Sequence, residues 1–278
     1  MRWSSSFSNN SVILISSSRA GEENVGRRLT EDLDQLRIAL HDFHLEHHNV
    51  TSRQDLVELL RKIARQAKKG LRPIIHFDMH GDQRRGLELN PSRDFAAWSE
   101  LITWLRKINQ RTRNNLCVVA ASCYGLQMIR PISIHNAVPF YCLIAPENEV
   151  SLGFVDEKMS LFYRQLLEKG SLEDAFREIE GEFKQFHCEK MLTIVLAKYI
   201  KQQCKGAGIM KRKEQLISGA IARGAPRTAE SLKRLRLLVK ETIRPSEPLI
   251  QKYASQFLIG REYPVSLDQI TGLIEESY

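Results

Sequence analysis

The sequence predicts an α/β fold in which a mostly parallel central sheet is flanked by helices and followed by a C-terminal helical region. Four short apolar runs rich in β-branched residues are typical of strands buried on both faces, at 12–15, 73–77, 116–121 and 140–145. Segments with apolar residues at helical spacing alternate with these runs, which is the pattern of a doubly wound sheet. With 278 residues, the chain can form one large domain or a smaller domain with an appendage.

Each predicted helix is an apolar stripe bounded by capping residues. Ser52 with Asp55 three residues later is typical of a helix start, and Gly70 is typical of the residue that follows a helix end. Gly170 and Ser171 mark the end of one helix and the start of the next in the same way. The predicted helices are 25–40, 52–69, 98–108, 155–167 and 171–179.

The C-terminal part of the chain differs in composition. The formal net charge is +8, and the segment 201–244, which begins at Lys201 and ends at Arg244, holds twelve Lys or Arg residues and three Glu residues. We expect the α/β domain to span residues 1–204 and a basic, mainly helical region to follow it at 205–278. The basic segment is either a solvated helix face or a docking surface for an acidic protein, with nucleic acid second because it contains no aromatic residue.

Several classes of protein are excluded by composition. No apolar run reaches the roughly 18 residues of a membrane helix, and the N-terminus lacks a secretory leader, so we expect a cytoplasmic protein with no membrane span. Five cysteines form no CxxC pair and are odd in number, which disfavours a disulfide framework and a zinc site. We expect no cofactor.

One base and one nucleophile follow two of the predicted strands. His80 and Gly81 follow the run at 73–77, and Cys123 follows the run at 116–121. Ligands bind at the carboxyl ends of parallel strands, where both residues are expected. A free thiol is mostly protonated at neutral pH, so an imidazole that takes its proton makes it a usable nucleophile. The N–H groups of Gly81 and Cys123 are candidate donors to an oxyanion.

Two histidine patterns raise a metal site as an alternative. His76 and His80 form an HxxxH pair, but about 13 Å separates such positions along a strand, which is too far for chelation. His41, His44, His47 and His48 form a second group, in which His44 and His48 would share a face on a helix. No carboxylate or cysteine at ligand spacing completes either group, so we predict no metal.

The segments around His80 and Cys123 resemble caspase-like cysteine proteases, and most of all their CHAT subgroup. The likeness lies in Ala121-Ser122-Cys123-Tyr124-Gly125, in the His-x-x-x-His-Gly strand that ends at Gly81, and in the helix pair at 161–167 and 170–176. It covers roughly residues 10 to 200. It implies a caspase-hemoglobinase fold, peptide hydrolysis through an acyl-enzyme, His80 as acid and base, and Cys123 as nucleophile.

The same resemblance bears on specificity and on biological role. Caspases carry Gln and metacaspases Asp two residues before the nucleophile, where this chain has Ala121, so a small or apolar P1 residue is expected; Asp82 and Glu147 are the candidates for charge in the pocket. CHAT proteins imply prokaryotic signalling or antiviral defence, a protein substrate and activation by a partner or by chain cleavage. The alternative is a non-catalytic caspase-like scaffold that docks an acidic protein or nucleic acid.

Overall fold

The computed structural model describes residues 6–22, 25–39, 43–204 and 206–275, and within them it contains two sheets and a series of helices. The strands are β1 (Ser11–Ser17), β2 (His44–Asn49), β3 (Pro73–Met79), β4 (Gly81–Asp82), β5 (Gly86–Leu89), β6 (Asp94–Ala96), β7 (Cys117–Ala121), β8 (Cys142–Pro146) and β9 (Phe183–His187). The helices are α1 (Val25–Ala39), α2 (Arg53–Ala67), α3 (Trp98–Arg111), α4 (Leu152–Lys169), α5 (Leu172–Arg177), α6 (Cys188–Gln203), α7 (Gly206–Ala222), α8 (Ala229–Ile243), α9 (Glu247–Phe257) and α10 (Leu267–Glu275).

The central sheet has six strands in the order β2-β1-β3-β7-β8-β9. Neighbouring strands from β2 to β8 pair in parallel, and β9 adds to the edge in the antiparallel sense. The four predicted strands β1, β3, β7 and β8 are buried along their whole length. The predicted α/β class with a mostly parallel, helix-flanked sheet is therefore confirmed.

The helix boundaries follow the capping residues. Ser52 accepts a hydrogen bond from Asp55 N–H at the start of α2, and Ser171 accepts one from Asp174 N–H at the start of α5. Gly170 ends α4 in the left-handed conformation that favours glycine. A second, antiparallel sheet of β4, β5 and β6 follows β3 directly.

The chain divides into two units, one comprising Met1–Cys188 with Phe257–Arg261 and the other Glu189–Gln256 with Glu262–Tyr278. The division falls at Cys188, one helix earlier than the expected boundary after residue 204. Helix α6 belongs to the second unit, where Thr193 on that helix hydrogen-bonds to Tyr263 at 2.7 Å. In the described part of the chain, none of the helices combines the length and the apolar character that crossing a membrane requires.

His76 on β3 makes the stability of the fold depend on pH. Its ring is fully buried, its Nδ1 lies 3.0 Å from Tyr163 Oη, and burial, with a smaller effect of His47, lowers its pKa to about 3. The pKa of an unfolded histidine is about 6.5. At a pH between the folded value of about 3 and this unfolded value, the unfolded chain binds a proton that the folded chain does not bind. This contribution destabilises the fold as the pH falls through that window, by up to about 1.4 kcal/mol per pH unit.

We expect the variant His76→Gln, which does not titrate, to lose free energy of unfolding less steeply than wild type between pH 6 and pH 4. Asp78 has a raised pKa and so contributes with the opposite sign in wild type and variant alike. The difference between the two proteins isolates His76. Urea unfolding at several pH values measures it, and equal slopes for both proteins would contradict the assignment.

Candidate active site

His80 and Cys123 lie at the same edge of the central sheet. His80 follows the last residue of β3, and Cys123 lies two residues after the end of β7. These strands are adjacent and parallel, with Asp78 opposite Ala121. The predicted placement of both residues beyond the carboxyl ends of neighbouring parallel strands is confirmed.

The two residues line one cavity of about 70 Å3. Its walls come from the ends of β1, β3 and β7, from the segment that follows β1, and from the start of α4. The residues that matter for its chemistry are Ser17, Glu22, Asp78, His80, Ala121, Ser122 and Cys123. A base and a thiol therefore face a shared space large enough for several water molecules.

The backbone of Gly81 touches the backbone of Cys123. A Cβ placed on Gly81 would lie 2.0 Å from the carbonyl oxygen of Cys123 and 3.0 Å from its carbonyl carbon, so only glycine fits. This close approach holds the residue after the base against the nucleophile. Among the described residues, the N–H of Cys123 makes no hydrogen bond to backbone, which suits the expected oxyanion donor.

A tight turn presents Cys123. Tyr124 has a φ of 60°, a left-handed conformation that is uncommon outside glycine, and its N–H donates to Asn148 O at 2.9 Å. Gly125 begins a short 3-10 helix, Gly125–Ile129, where an added Cβ would lie 3.0 Å from Ala120 Cβ and 3.1 Å from Ala145 Cβ. The Cys-x-Gly spacing is thus required by packing against β7 and β8.

The sulfur of Cys123 contacts the loop after β8. Val150 N–H donates to Sγ at 3.4 Å, and the thiol donates to Val150 O at 3.7 Å. These two contacts fix the position of the sulfur beside the loop. Of the other cysteines, Cys117, Cys142 and Cys188 are buried, and Cys204 is partly exposed.

Glu22 is a site residue that the sequence reasoning missed. Both of its carboxylate oxygens lie 3.0 Å from Nε2 of His80, and Oε2 also accepts from Arg19 N–H at 2.9 Å. Burial tends to raise the pKa of the Glu22 carboxyl, but the hydrogen bonds from His80 and Arg19 outweigh it and hold the pKa below its ordinary value. The available signal was an acidic residue in the β1–α1 loop, which a parallel sheet places at the same edge as His80.

Asp78 is a second residue that was missed. Its side chain is 6% exposed, it lines the cavity, and its carboxylate accepts a hydrogen bond from the backbone N–H of Gly26 in the first turn of α1. Burial raises its pKa to about 6. The signal was an acidic residue in an otherwise apolar strand, two positions before His80 and so on the same face of the sheet.

Of the predicted pocket residues, only Ala121 lines the cavity. Asp82 instead fixes a turn, because its Oδ1 accepts from Arg85 N–H at 2.8 Å and from Arg84 N–H at 2.9 Å, and these bonds lower its pKa to about 2. Glu147 is exposed and lies outside the lining residues. The acidic groups at the cavity are Glu22 and Asp78.

The histidine groups do not form a metal centre in the part of the chain that is described, where no cluster of three or more ligand-type side chains occurs. The segment with His44 and His48 is strand β2, and both rings bind the carboxylate of Glu46, at 2.8 and 2.6 Å. His47 Nε2 lies 2.7 Å from Ser16 Oγ. His41 falls outside the described residues.

No relative of known function was found for the chain, so the site itself is the basis for a functional proposal. No family model matches the chain, and no curated protein matches it.

Proposed function

We propose that the chain is a caspase-like cysteine endopeptidase of the CHAT type, with a caspase-hemoglobinase fold. The observation that carries the proposal is the cavity shared by His80 and Cys123, together with the backbone contact between Gly81 and Cys123 that leaves no room for a Cβ. A glycine-paired base and thiol at the carboxyl edge of a parallel sheet form a nucleophile, a base and oxyanion donors in one place.

The reaction proceeds in two halves. His80 takes the proton of Cys123 Sγ, and the thiolate attacks the scissile carbonyl carbon, whose oxygen accepts hydrogen bonds from the N–H groups of Gly81 and Cys123. The intermediate collapses, the C–N bond breaks, and His80 returns the proton to the departing amine. His80 then deprotonates a water molecule, which hydrolyses the thioester and releases Cys123.

Glu22 positions His80 for both halves. Because an ionised carboxylate accepts from Nε2, it holds the ring in one orientation and stabilises the imidazolium that forms during attack. We expect Glu22→Gln to lower kcat by about 10- to 100-fold with little change in KM. Steady-state kinetics measure this, and Glu31→Gln on the exposed face of α1 is the control. A change confined to KM would contradict the positioning role.

Labelling of thiols tests the proposal against the scaffold alternative. We expect a peptidyl electrophile to form one adduct, on Cys123, and to leave Cys204, the other cysteine that is not buried, unmodified. The variant His80→Ala should slow labelling of Cys123 and leave iodoacetamide labelling of Cys204 unchanged. Equal reaction of Cys123 and Cys204 would favour a non-catalytic scaffold.

A docking function of the basic segment 201–244 is a second candidate, favoured by the exposure of α8. On this helix Leu237 and Leu238 are 56% and 51% exposed, between the exposed basic residues Arg236 and Lys240. Apolar side chains among cations suit an acidic protein surface better than bare phosphates. This surface would receive the substrate or an activating partner. Lys205, which belongs to the segment, lies outside the described residues.

Charge reversal tests that docking surface. Replacing Lys211, Lys213, Arg234 and Arg236 with Glu is expected to weaken association with an acidic partner captured by the wild-type protein, most strongly at low salt. Cleavage of a short peptide should not change. Normal association of the reversed protein at low ionic strength would show that the segment is an ordinary solvated face.

A further inference from the structure

Asp78 places a carboxylate in the cavity that the two half-reactions leave unused. Register pairs Asp78 with Ser16 on β1 and with Ala121 on β7, so these three side chains form a row on one face of the sheet. His80 and Cys123 come two residues after Asp78 and Ala121 respectively, and so continue the same face. The carboxylate therefore lies deeper in the cavity than the reacting groups.

Asp78 forms no salt bridge within the described residues, and the charged group that acts favourably on its carboxylate is His80, at longer range. The salt bridges there do not include it, and its hydrogen bond comes from the neutral N–H of Gly26. An ionised carboxylate that is 6% exposed is costly without a cation or further donors. Burial accordingly raises its pKa to about 6, which still leaves it mainly ionised at neutral pH.

A second buried group at the cavity also lacks a partner. Ser122 is 2% exposed, lines the cavity, and its Oγ has no hydrogen-bond partner among the described residues. Buried hydroxyl groups are usually satisfied, so this one is expected to bind a water molecule or a polar group of a ligand.

Apart from His80, the charged groups in the described lining are acidic. The described lining residues include the carboxylates of Glu22 and Asp78 and no Lys or Arg. Glu22 is engaged with His80 near the reacting groups, whereas Asp78 lies further in. Like-charged groups at the walls of a narrow cavity concentrate a field that attracts cations.

The dimensions suit a long side chain. Asp78 and His80 are two positions apart along the chain, a rise of about 6.6 Å, which the stem of an extended Lys or Arg side chain spans. Ala121, next to Asp78 on β7, adds only a methyl group and leaves the space between them open. Ala121, from which the sequence predicts a small or apolar P1 residue, lies beside the acidic residue on the neighbouring strand.

We propose that the cavity selects substrates with a basic P1 residue, Arg or Lys, whose cationic head binds Asp78 while its carbonyl carbon lies at Cys123. This specificity rests on the proposed peptidase function. The cation supplies the ion pair that the buried carboxylate lacks.

Two measurements on the same proteins test the specificity. In the first, iodoacetamide alkylates Cys123 in the presence of agmatine, which carries a guanidinium and an ammonium at the two ends of a four-carbon stem, or of N-butylacetamide, a neutral probe of similar length. In the second, fluorogenic peptides that differ only in P1 (Arg, Lys, Leu, Ala or Asp) are assayed for hydrolysis that depends on Cys123. The proteins are wild type, Asp78→Asn and the control Asp82→Asn, whose carboxylate lies outside the cavity.

We expect agmatine to slow alkylation at least about tenfold in wild type and Asp82→Asn but not in Asp78→Asn, and N-butylacetamide to have no effect. We also expect kcat/KM to favour Arg or Lys over Leu by about 100-fold, and Asp78→Asn to abolish that preference. If Asp78→Asn does not fold, the comparison of agmatine with N-butylacetamide in the wild-type protein still tests the cation site.

The outcomes separate the specificity from the peptidase function. Equal effects of agmatine and N-butylacetamide overturn the specificity whatever the peptides show. Hydrolysis that depends on Cys123 but is as fast with Leu as with Arg overturns the specificity and retains the peptidase. Protection by agmatine without hydrolysis of any peptide retains the cation site and overturns the peptidase.

Discussion

Replacing Cys123 with Ala is expected to lower kcat/KM for peptide hydrolysis by about 10^4-fold or more, because Cys123 carries the one thiol among the described residues that line the cavity, and the serine hydroxyls there are far weaker nucleophiles. His80→Ala is expected to have an effect of similar size. The two losses should not add in the double variant, because thiol and imidazole act as one unit. Initial rates on a P1 Arg peptide measure all three proteins.

The matched control is Cys204→Ala, which removes the other partly exposed thiol and is expected to leave the rate unchanged. Circular dichroism and thermal unfolding confirm that Cys123→Ala keeps the fold, since its side chain is only partly buried. A Cys123→Ala protein that cleaves at the wild-type rate would show that the nucleophile lies elsewhere.

Gly81→Ala is the second substitution with a large expected effect. Its Cβ would lie 2.0 Å from the backbone oxygen of Cys123, a distance that backbone atoms cannot relieve by rotation. The residues that follow β3 and β7 must move apart, which costs about 1–3 kcal/mol of stability. A displacement near 1 Å between base and nucleophile lowers the rate by about 100-fold.

Gly181→Ala is the control for this substitution, because a Cβ there has open space and its φ is not positive. We expect it to change neither stability nor rate. Urea unfolding and the initial rate on one peptide measure both variants. A Gly81→Ala protein with wild-type stability and rate would mean that the contact between Gly81 and Cys123 has no role in the site.

The central strands and the placement of His80 and Cys123 at one edge of the sheet were predictable because they depend on local patterns. Strands β1, β3, β7 and β8 are buried on both faces, and such strands are uninterrupted apolar runs. A His-Gly and a Cys-x-Gly at the ends of two of these runs indicate a site, since the chain order of the strands limits which edges can meet.

Elements at the margins of the sheet were missed because their sequences are polar or short. Strand β2 is an edge strand with partly exposed residues, three of them histidines, and has no apolar run. Strands β4 and β6 have two and three residues. Strand β9 pairs antiparallel with β8 through contacts between segments distant in sequence, which periodicity does not reveal.

Glu22 and Asp78 were missed for a different reason. Glu22 meets His80 across 58 positions of sequence, and the cavity that includes Asp78 exists only when β1, β3 and β7 are aligned. The boundary of the second unit depends in the same way on a contact, between Thr193 and Tyr263, that joins α6 to the last part of the chain. Long-range contacts of this kind leave no pattern in a single sequence.

Trapping of the acyl-enzyme is the measurement that tests the peptidase function most directly. A peptide ester with Arg at P1 is mixed with the protein, the reaction is stopped with acid within the first turnover, and the intact mass is recorded. We predict one acyl group per chain, located on Cys123, removed by hydroxylamine as a thioester is, and absent from Cys123→Ala and His80→Ala. A wild-type protein that carries no acyl group, or an equal acyl mass on Cys123→Ala, would contradict the assignment of Cys123 as the nucleophile of a protease.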